Sequence, residues 1–273
     1  MWDFEHPPLS AALAGRYQLH YTLPSLCADE LLASRADLGL IPIAALTPEL
    51  AIVPNCTIAS LDSVRSIQLI VRSSSPDPTH ALHSVRTIAA DKASRSSLAY
   101  ADILFRKFLS VQPAFVPCEA DPIAMFQCAD AAVLIGDPAL NALEIRSTLE
   151  QAIDPHSHFH WFDLAHEWRT RTGLPWVAAV WAVRPESLTP AGTTSTQLID
   201  DLTQSRDHGL AHIEDLVREW TPRLPVPAGT IRHYLTRNIH YILDPDCIRT
   251  IELFRRYAAE IEALPPLPQL RFL

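Results

Sequence analysis

VRTIAADKASRSSLAYADILFRKFLSVQPAFVPCEADPIAMFQCADAAVLI, residues 85–135, is the stretch whose reading decides the fold. Short apolar runs at 85–90, 114–116 and 131–135 read as strands, and residues 94–109 and 122–128 between them read as helices. A strand–helix–strand–helix–strand series predicts an α/β unit whose strands run parallel, because each helix carries the chain back to start its next strand on the same side.

Upstream, residues 17–23 read as a short strand and 25–36 as a helix, with Ser25 placed to cap the N–H groups of the first turn. Asp37-Leu38-Gly39-Leu40-Ile41-Pro42-Ile43 is an apolar strand without polar alternation, the pattern of a strand covered on both faces as in a parallel sheet. Extended apolar segments follow at 52–53 and 58–71, closed by a polar, proline-containing stretch at 72–79 that marks a lobe boundary. Downstream, residues 176–183 form one more apolar strand that carries the chain back to the first lobe. Helices are then expected at 194–219, 227–238 and 245–263.

The predicted fold is α/β and periplasmic-binding-protein-like. Residues 1–72 and 184–273 make one lobe, 73–183 make the other, C-terminal helices follow, and a ligand cleft lies between the lobes. A single doubly wound sheet is the alternative arrangement of the same elements. A βαβ-type lobe opens on a strand, whereas this chain opens on Met1-Trp2-Asp3-Phe4-Glu5-His6-Pro7-Pro8. The first lobe is therefore expected to lack its first strand, with the codons for it lying upstream.

Composition narrows the function. The formal net charge is -9, lysine occurs only at Lys92 and Lys107, and no basic run exceeds Arg255-Arg256, so neither nucleic acid nor a membrane surface is an expected partner. The start has neither the basic residues nor the apolar run of a signal peptide, and no stretch has a bilayer-spanning length, so a cytoplasmic location is expected. Cys27, Cys56, Cys118, Cys128 and Cys247 are widely spaced and are expected as buried free thiols. A Gly-rich phosphate loop and a G-x-S-x-G elbow are both missing from a chain with seven glycines, so nucleotide-dependent and serine-hydrolase chemistry lose their main support.

Three segments carry candidate site residues. Asp91-Lys92-Ala93-Ser94-Arg95-Ser96-Ser97 follows a strand and opens a helix, gathering hydroxyls, a guanidinium and first-turn N–H groups where an anion would bind. An ordinary serine N-cap explains it equally well. Ile58-Ala59-Ser60-Leu61-Asp62-Ser63-Val64-Arg65-Ser66-Ile67 enters a strand, with Ser66 alternating with apolar residues; a strand-edge serine bonded to backbone is the plainer reading. Ala132-Val133-Leu134-Ile135-Gly136-Asp137-Pro138 ends a buried strand at a glycine, where ligands approach in open α/β sheets, although Asp137 also suits a helix cap. His156, His158, His160 and His166 read as solvated loop residues, since their spacing matches no metal motif. Glu167 and Trp168 sit on a short helix stopped at Gly173.

Taken in order, Ile58-Ala59-Ser60 with Val64-Arg65-Ser66, Ser94-Arg95-Ser96-Ser97, Leu134-Ile135-Gly136-Asp137-Pro138-Ala139-Leu140, Phe162-Asp163-Leu164 through Glu167-Trp168 to Thr172-Gly173-Leu174-Pro175, and Tyr234-Leu235-Thr236-Arg237-Asn238-Ile239 resemble the chorismate dehydratase family. The resemblance spans nearly the whole chain and implies the two-lobed binding-protein fold. It also implies conversion of chorismate, a dicarboxylate, to 3-[(1-carboxyvinyl)oxy]benzoate in the futalosine route to menaquinone, with no redox cofactor and no metal. It carries Ser66 over as the leading catalytic contact, Ser60, Arg65, Ser94, Arg95, Ser96 and Ser97 as substrate-binding residues, and Gly136 and Asp137 as cleft lining. The candidate base is a carboxylate of the substrate itself. Relatives open on a strand ending in a Tyr-Leu-Asn-like segment, from which this chain departs. The related 1,4-dihydroxy-6-naphthoate synthase and a cytoplasmic solute-binding sensor of the same fold are the rival readings.

Overall fold

The computed structural model describes residues 1–90 and 95–273. Its strands are β1 (Leu38–Pro42), β2 (Ala51–Ser60), β3 (Ile67–Ser73), β4 (Thr87–Ala90), β5 (Ala114–Pro117), β6 (Ala131–Ile135), β7 (His158–Asp163) and β8 (Trp176–Val183). The helices are α1 (Ser10–Ala14), α2 (Pro24–Leu32), α3 (Pro78–Ser84), α4 (Arg95–Ile103), α5 (Pro122–Cys128), α6 (Gly136–Glu144), α7 (Arg146–Ile153), α8 (Leu164–Thr172), α9 (Ser195–Ala211), α10 (Ile213–Trp220), α11 (Ala228–His233) and α12 (Pro245–Glu260). The strands form two sheets, ordered β1-β8-β2 and β5-β4-β6-β3-β7.

Period-two burial explains the larger sheet. Ile67, Leu69 and Val71 of β3, Ala131 and Val133 of β6, and Ile88 and Ala90 of β4 join one core. Their alternates Ile70, Ala132, Leu134 and Ala89 join a second core under α5, α6 and α7. Both faces are buried, as the unbroken apolar runs require. The first of these cores continues across to the smaller sheet through Tyr100 of α4, Trp168 of α8, Phe254 of α12 and Trp176 of β8. On the opposite face of the smaller sheet, Ala51, Val53 and Val183 meet Leu198 and Leu202 of α9.

Several expectations are corrected. β4 runs parallel to β5 and β6, but β3 pairs antiparallel with β6 and β7, so the sheet is mixed. β1 is antiparallel to β8, because an apolar run reports coverage of its faces and carries no information on direction. β3 belongs to the larger sheet and β8 to the smaller one. The chain therefore passes from one sheet to the other within residues 61–66 and 164–175. Residues 17–23 are irregular, with Leu19, Tyr21 and Leu23 exposed and no strand beside them among the described residues. α2 starts at Pro24 with Leu23 as its N-cap and no side-chain cap, so Ser25 lies inside the helix and is buried. The long helix expected at 194–219 breaks at His212 into α9 and α10. Of the cysteines, Cys56 and Cys247 are buried, Cys27 and Cys118 partly so, and Cys128 exposed at the end of α5; all are free.

Candidate active site

Strand direction collects the site. In the larger sheet Ala90 lies opposite Val133 and Ile135 opposite Ile67, so the carboxyl ends of β4 and β6 share an edge with the start of β3. β7 ends there too, with Asp163 opposite Gln68. In the smaller sheet Pro42 pairs with Ala179 and Ser60 with Trp176, which brings the carboxyl ends of β1 and β2 to one edge. The two edges meet: Ser96 Oγ accepts the Ala44 N–H at 3.2 Å and donates to the Ala178 carbonyl at 3.3 Å. Carboxyl ends of strands are where open α/β sheets receive ligands.

The crossing from β2 to β3 is the polar centre of this region. Ser66, 4% exposed, accepts a hydrogen bond from the Tyr234 hydroxyl at 3.0 Å, and its carbonyl accepts the Gly136 N–H at 2.7 Å. Gly136 has φ +64°, a left-handed conformation that a side chain resists, and it lets the first turn of α6 close on Ser66. Asp137 follows inside that turn, so its role as a helix cap is not realised; Ile135 occupies the N-cap. Asn238 donates from Nδ2 to the Ser63 carbonyl at 2.8 Å. Arg65 Nη2 stands 3.6 Å from Glu144. Among the described residues, Ser60 Oγ, Arg65 Nε and Asn238 Oδ1 are buried without a hydrogen-bond partner. Buried polar atoms are nearly always satisfied, which makes these three candidate ligand contacts; Thr47 Oγ1, Trp168 Nε1, Trp176 Nε1 and Arg255 Nε are unpartnered as well.

Asp163 holds the crossing in place. Its carboxylate accepts N–H groups of Val64 at 3.2 Å and Arg65 at 2.6 Å, while capping α8 through Ala165 at 3.0 Å and His166 at 3.2 Å. Burial raises its pKa above the ordinary carboxylate value, and these backbone donors oppose the shift without cancelling it. Burial likewise raises the Tyr234 phenol, with the Ser66 hydrogen bond opposing and nearby Asp137 adding to the rise. Tyr234 therefore stays a protonated donor through the neutral range.

Not every expected residue converges. Arg95 turns away to Asp29 of α2, with Nη2 2.8 and 2.9 Å from its oxygens. Ser96 and Ser97 are buried in the first turn of α4, and Ser94 lies outside the described residues. No hydrogen bond links Ser66 to the α4 turn among the described residues. They stand two strands apart along one edge, about 10 Å at the usual strand spacing. A cavity of about 280 Å³ lies elsewhere, over the smaller sheet, lined by Trp2, Leu40, Ile58, Trp181, Trp220 and Tyr241 among others and by none of the expected site residues. His158 and His160 belong to β7 and not to a loop; His160 Nε2 contacts the Ser75 carbonyl at 2.9 Å. Their alternation with Phe159 and Trp161 was the strand signal that the histidine count obscured.

A family model described as "Menaquinone biosynthesis" matches residues 3–260. The chain belongs to this family. A chorismate dehydratase of Thermus thermophilus is 27% identical over 202 residues, covering 72% of this chain and 69% of that protein. Among solved structures, protein AF1704 of Archaeoglobus fulgidus has a TM-score of 0.65 at 12% identity, covering 93% of this chain and 92% of its own. The CA3427 gene product of Candida albicans, with the generic periplasmic binding protein fold, has a TM-score of 0.62 at 12% identity, covering 97% and 89%. The Escherichia coli aliphatic sulphonate-binding protein SsuA has a TM-score of 0.61 at 15% identity, covering 94% and 87%. The fold of this menaquinone-biosynthesis family member is thus the periplasmic-binding-protein fold, and no described helix is long and apolar enough to cross a membrane.

Proposed function

We propose that this protein is a chorismate dehydratase, a carbon–oxygen lyase of the cytoplasm that removes water from chorismate to give 3-[(1-carboxyvinyl)oxy]benzoate. The reaction takes the ring proton beside the enol ether and the neighbouring hydroxyl, and the electron pair of the broken C–H bond completes an aromatic ring. No electron acceptor is needed, so the protein's tasks are to position the substrate and manage one proton. The two sheets act as the cores of two lobes that close on the substrate.

The observation that carries the reading is the polar crossing between β2 and β3, with the unpartnered Ser60 hydroxyl and Arg65 Nε beside Ser66 and Gly136. Ser60 and Arg65 bind one carboxylate by charge-assisted hydrogen bonds. The first-turn N–H groups of α4, beside the buried Ser96 and Ser97, lie about 10 Å along the edge and receive the second. Because Ser66 Oγ accepts from Tyr234, its own proton remains free to donate to the departing hydroxyl. Among the described residues no carboxylate or imidazole hydrogen-bonds to Ser66, and a carboxylate of the bound substrate takes the ring proton.

Incubating the full chain with chorismate and following the ultraviolet absorption of the aromatic product tests this. Turnover that is lost in Ser66→Ala supports it. Stabilisation by chorismate without product would point to a sensor of the same fold, and neither effect would sink the reading.

A further inference from the structure

His240, Asp244 and Cys247 meet where the C-terminal segment docks on β2. One ligand atom from each, an imidazole nitrogen, a carboxylate oxygen and a thiol sulfur, lies within 4.8 Å of the other two. We propose that these three side chains bind one zinc-class divalent ion, with water in the fourth position, as a brace behind the crossing.

The donor set suits a borderline-soft ion, since nitrogen, oxygen and sulfur together are what zinc accepts and what calcium or magnesium does not. Tetrahedral bonds of about 2.0–2.3 Å place neighbouring ligand atoms about 3.5 Å apart, so closing on an ion needs movements of about 1 Å. His240 Nε2 and Asp244 Oδ2, hydrogen-bonded at 2.9 Å, part slightly to admit the ion between them. The backbone holds the ligands ready: the His240 N–H donates to the Ala59 carbonyl at 2.8 Å and its own carbonyl accepts the Ala59 N–H at 2.9 Å. Asp244 is fixed as the N-cap of α12 through the Cys247 N–H at 2.8 Å.

Charge and access agree with this. A carboxylate and a thiolate neutralise a dication; the carboxylate suits the N-terminus of α12, while burial and the neighbouring Asp244 push the Cys247 thiol up, so the ion has to displace its proton. The imidazole and carboxylate are partly exposed while Cys247 is fully buried, so an ion enters past the first two and meets sulfur at the back. The Cys247 thiol donates to the Ile242 carbonyl at 3.7 Å and adjoins the Asp244 cap. On binding, the thiol loses its proton to solvent and the sulfur lone pair forms the bond to the ion, with no redox change. Because His240 is paired to Ala59, next to Ser60, occupancy would stiffen the crossing without touching substrate.

Titrating the chelator-treated full chain with cobalt(II) reads the site directly. The expected result is saturable one-to-one binding with a near-ultraviolet thiolate-to-cobalt absorption band. Cys247→Ser abolishes the band, and His240→Gln weakens binding by about ten-fold or more. Zinc raises the thermal midpoint of the parent and not of the Cys247→Ser variant. If Cys247→Ser fails to fold, His240→Gln decides. Binding without the thiolate band, unchanged binding in His240→Gln, or no saturable binding overturns the proposal.

Discussion

The Tyr234 hydroxyl donates to Ser66 Oγ across 3.0 Å, tying the turn that follows α11 to the crossing between the two sheets. The bond fixes the Ser66 rotor, since an oxygen that accepts from one side directs its proton to the other. Tyr234→Phe keeps the packing and removes the donor. The expected outcome is a fall in kcat/KM for chorismate of about ten-fold, equivalent to about 1.4 kcal/mol, with Ser66→Ala falling further. Steady-state kinetics checks it, and identical kinetics for Tyr234→Phe and the parent would remove Tyr234 from the site.

Asp163 serves two elements with one carboxylate. Asp163→Ala strands the N–H groups of Val64 and Arg65 and uncaps α8, which predicts a loss of about 2–4 kcal/mol in urea unfolding. The pH dependence has a definite sign. Burial raises the folded pKa above the unfolded value of about 3.9, so between the two the native state binds more protons and stability falls as pH rises. The advantage of the parent over Asp163→Asn should therefore shrink as pH is raised from about 4 through that window; an advantage that widens contradicts this account.

Tyr17, Tyr100, Tyr234 and Tyr241 all have phenols raised by burial as the leading cause. In the unfolded chain they ionise near the usual value of about 10, so above that pH the native state holds the extra protons and stability declines as pH rises. Absorbance at about 295 nm, the phenolate band, should show most tyrosines titrating late in the native protein and near pH 10 in urea. Normal titration of Tyr234 in the folded protein would mean that the Ser66 contact is open to water.

The sequence located the edge of the sheet better than the partners on it. β4, β5 and β6 were readable because their runs alternate with helices at the spacing of a βαβ unit. Direction was unreadable for β1 and β3, since a strand covered on both faces is apolar whichever way it runs. Gly136 stood at the end of an apolar strand, whereas the residues around Ser66 alone favoured a strand-edge serine bonded to backbone, and its proposed role came from the family resemblance. Tyr234, Asn238 and Asp163 were not assigned roles, because each reaches the site from a segment about 100 residues or more away and only the fold supplies that contact. Arg95 shows the reverse error: a guanidinium beside a helix start looks like an anion ligand until α2 places Asp29 against it.

Gly136 separates backbone strain from site geometry. A Cβ there would meet nothing within 4 Å, so the penalty of Gly136→Ala comes from φ +64°, about 1–2 kcal/mol. Relaxing that angle swings the N–H off the Ser66 carbonyl, which it now meets at 2.7 Å, and shifts Ser66. Gly192 has φ +68° and equally open space, but it lies in the loop before α9, away from the crossing. Gly192→Ala should lower the unfolding midpoint by a similar amount and leave KM for chorismate unchanged. Gly136→Ala should lower the midpoint and also raise KM several-fold. Equal KM values in the two variants would show that the Gly136 turn supports the fold without shaping the site.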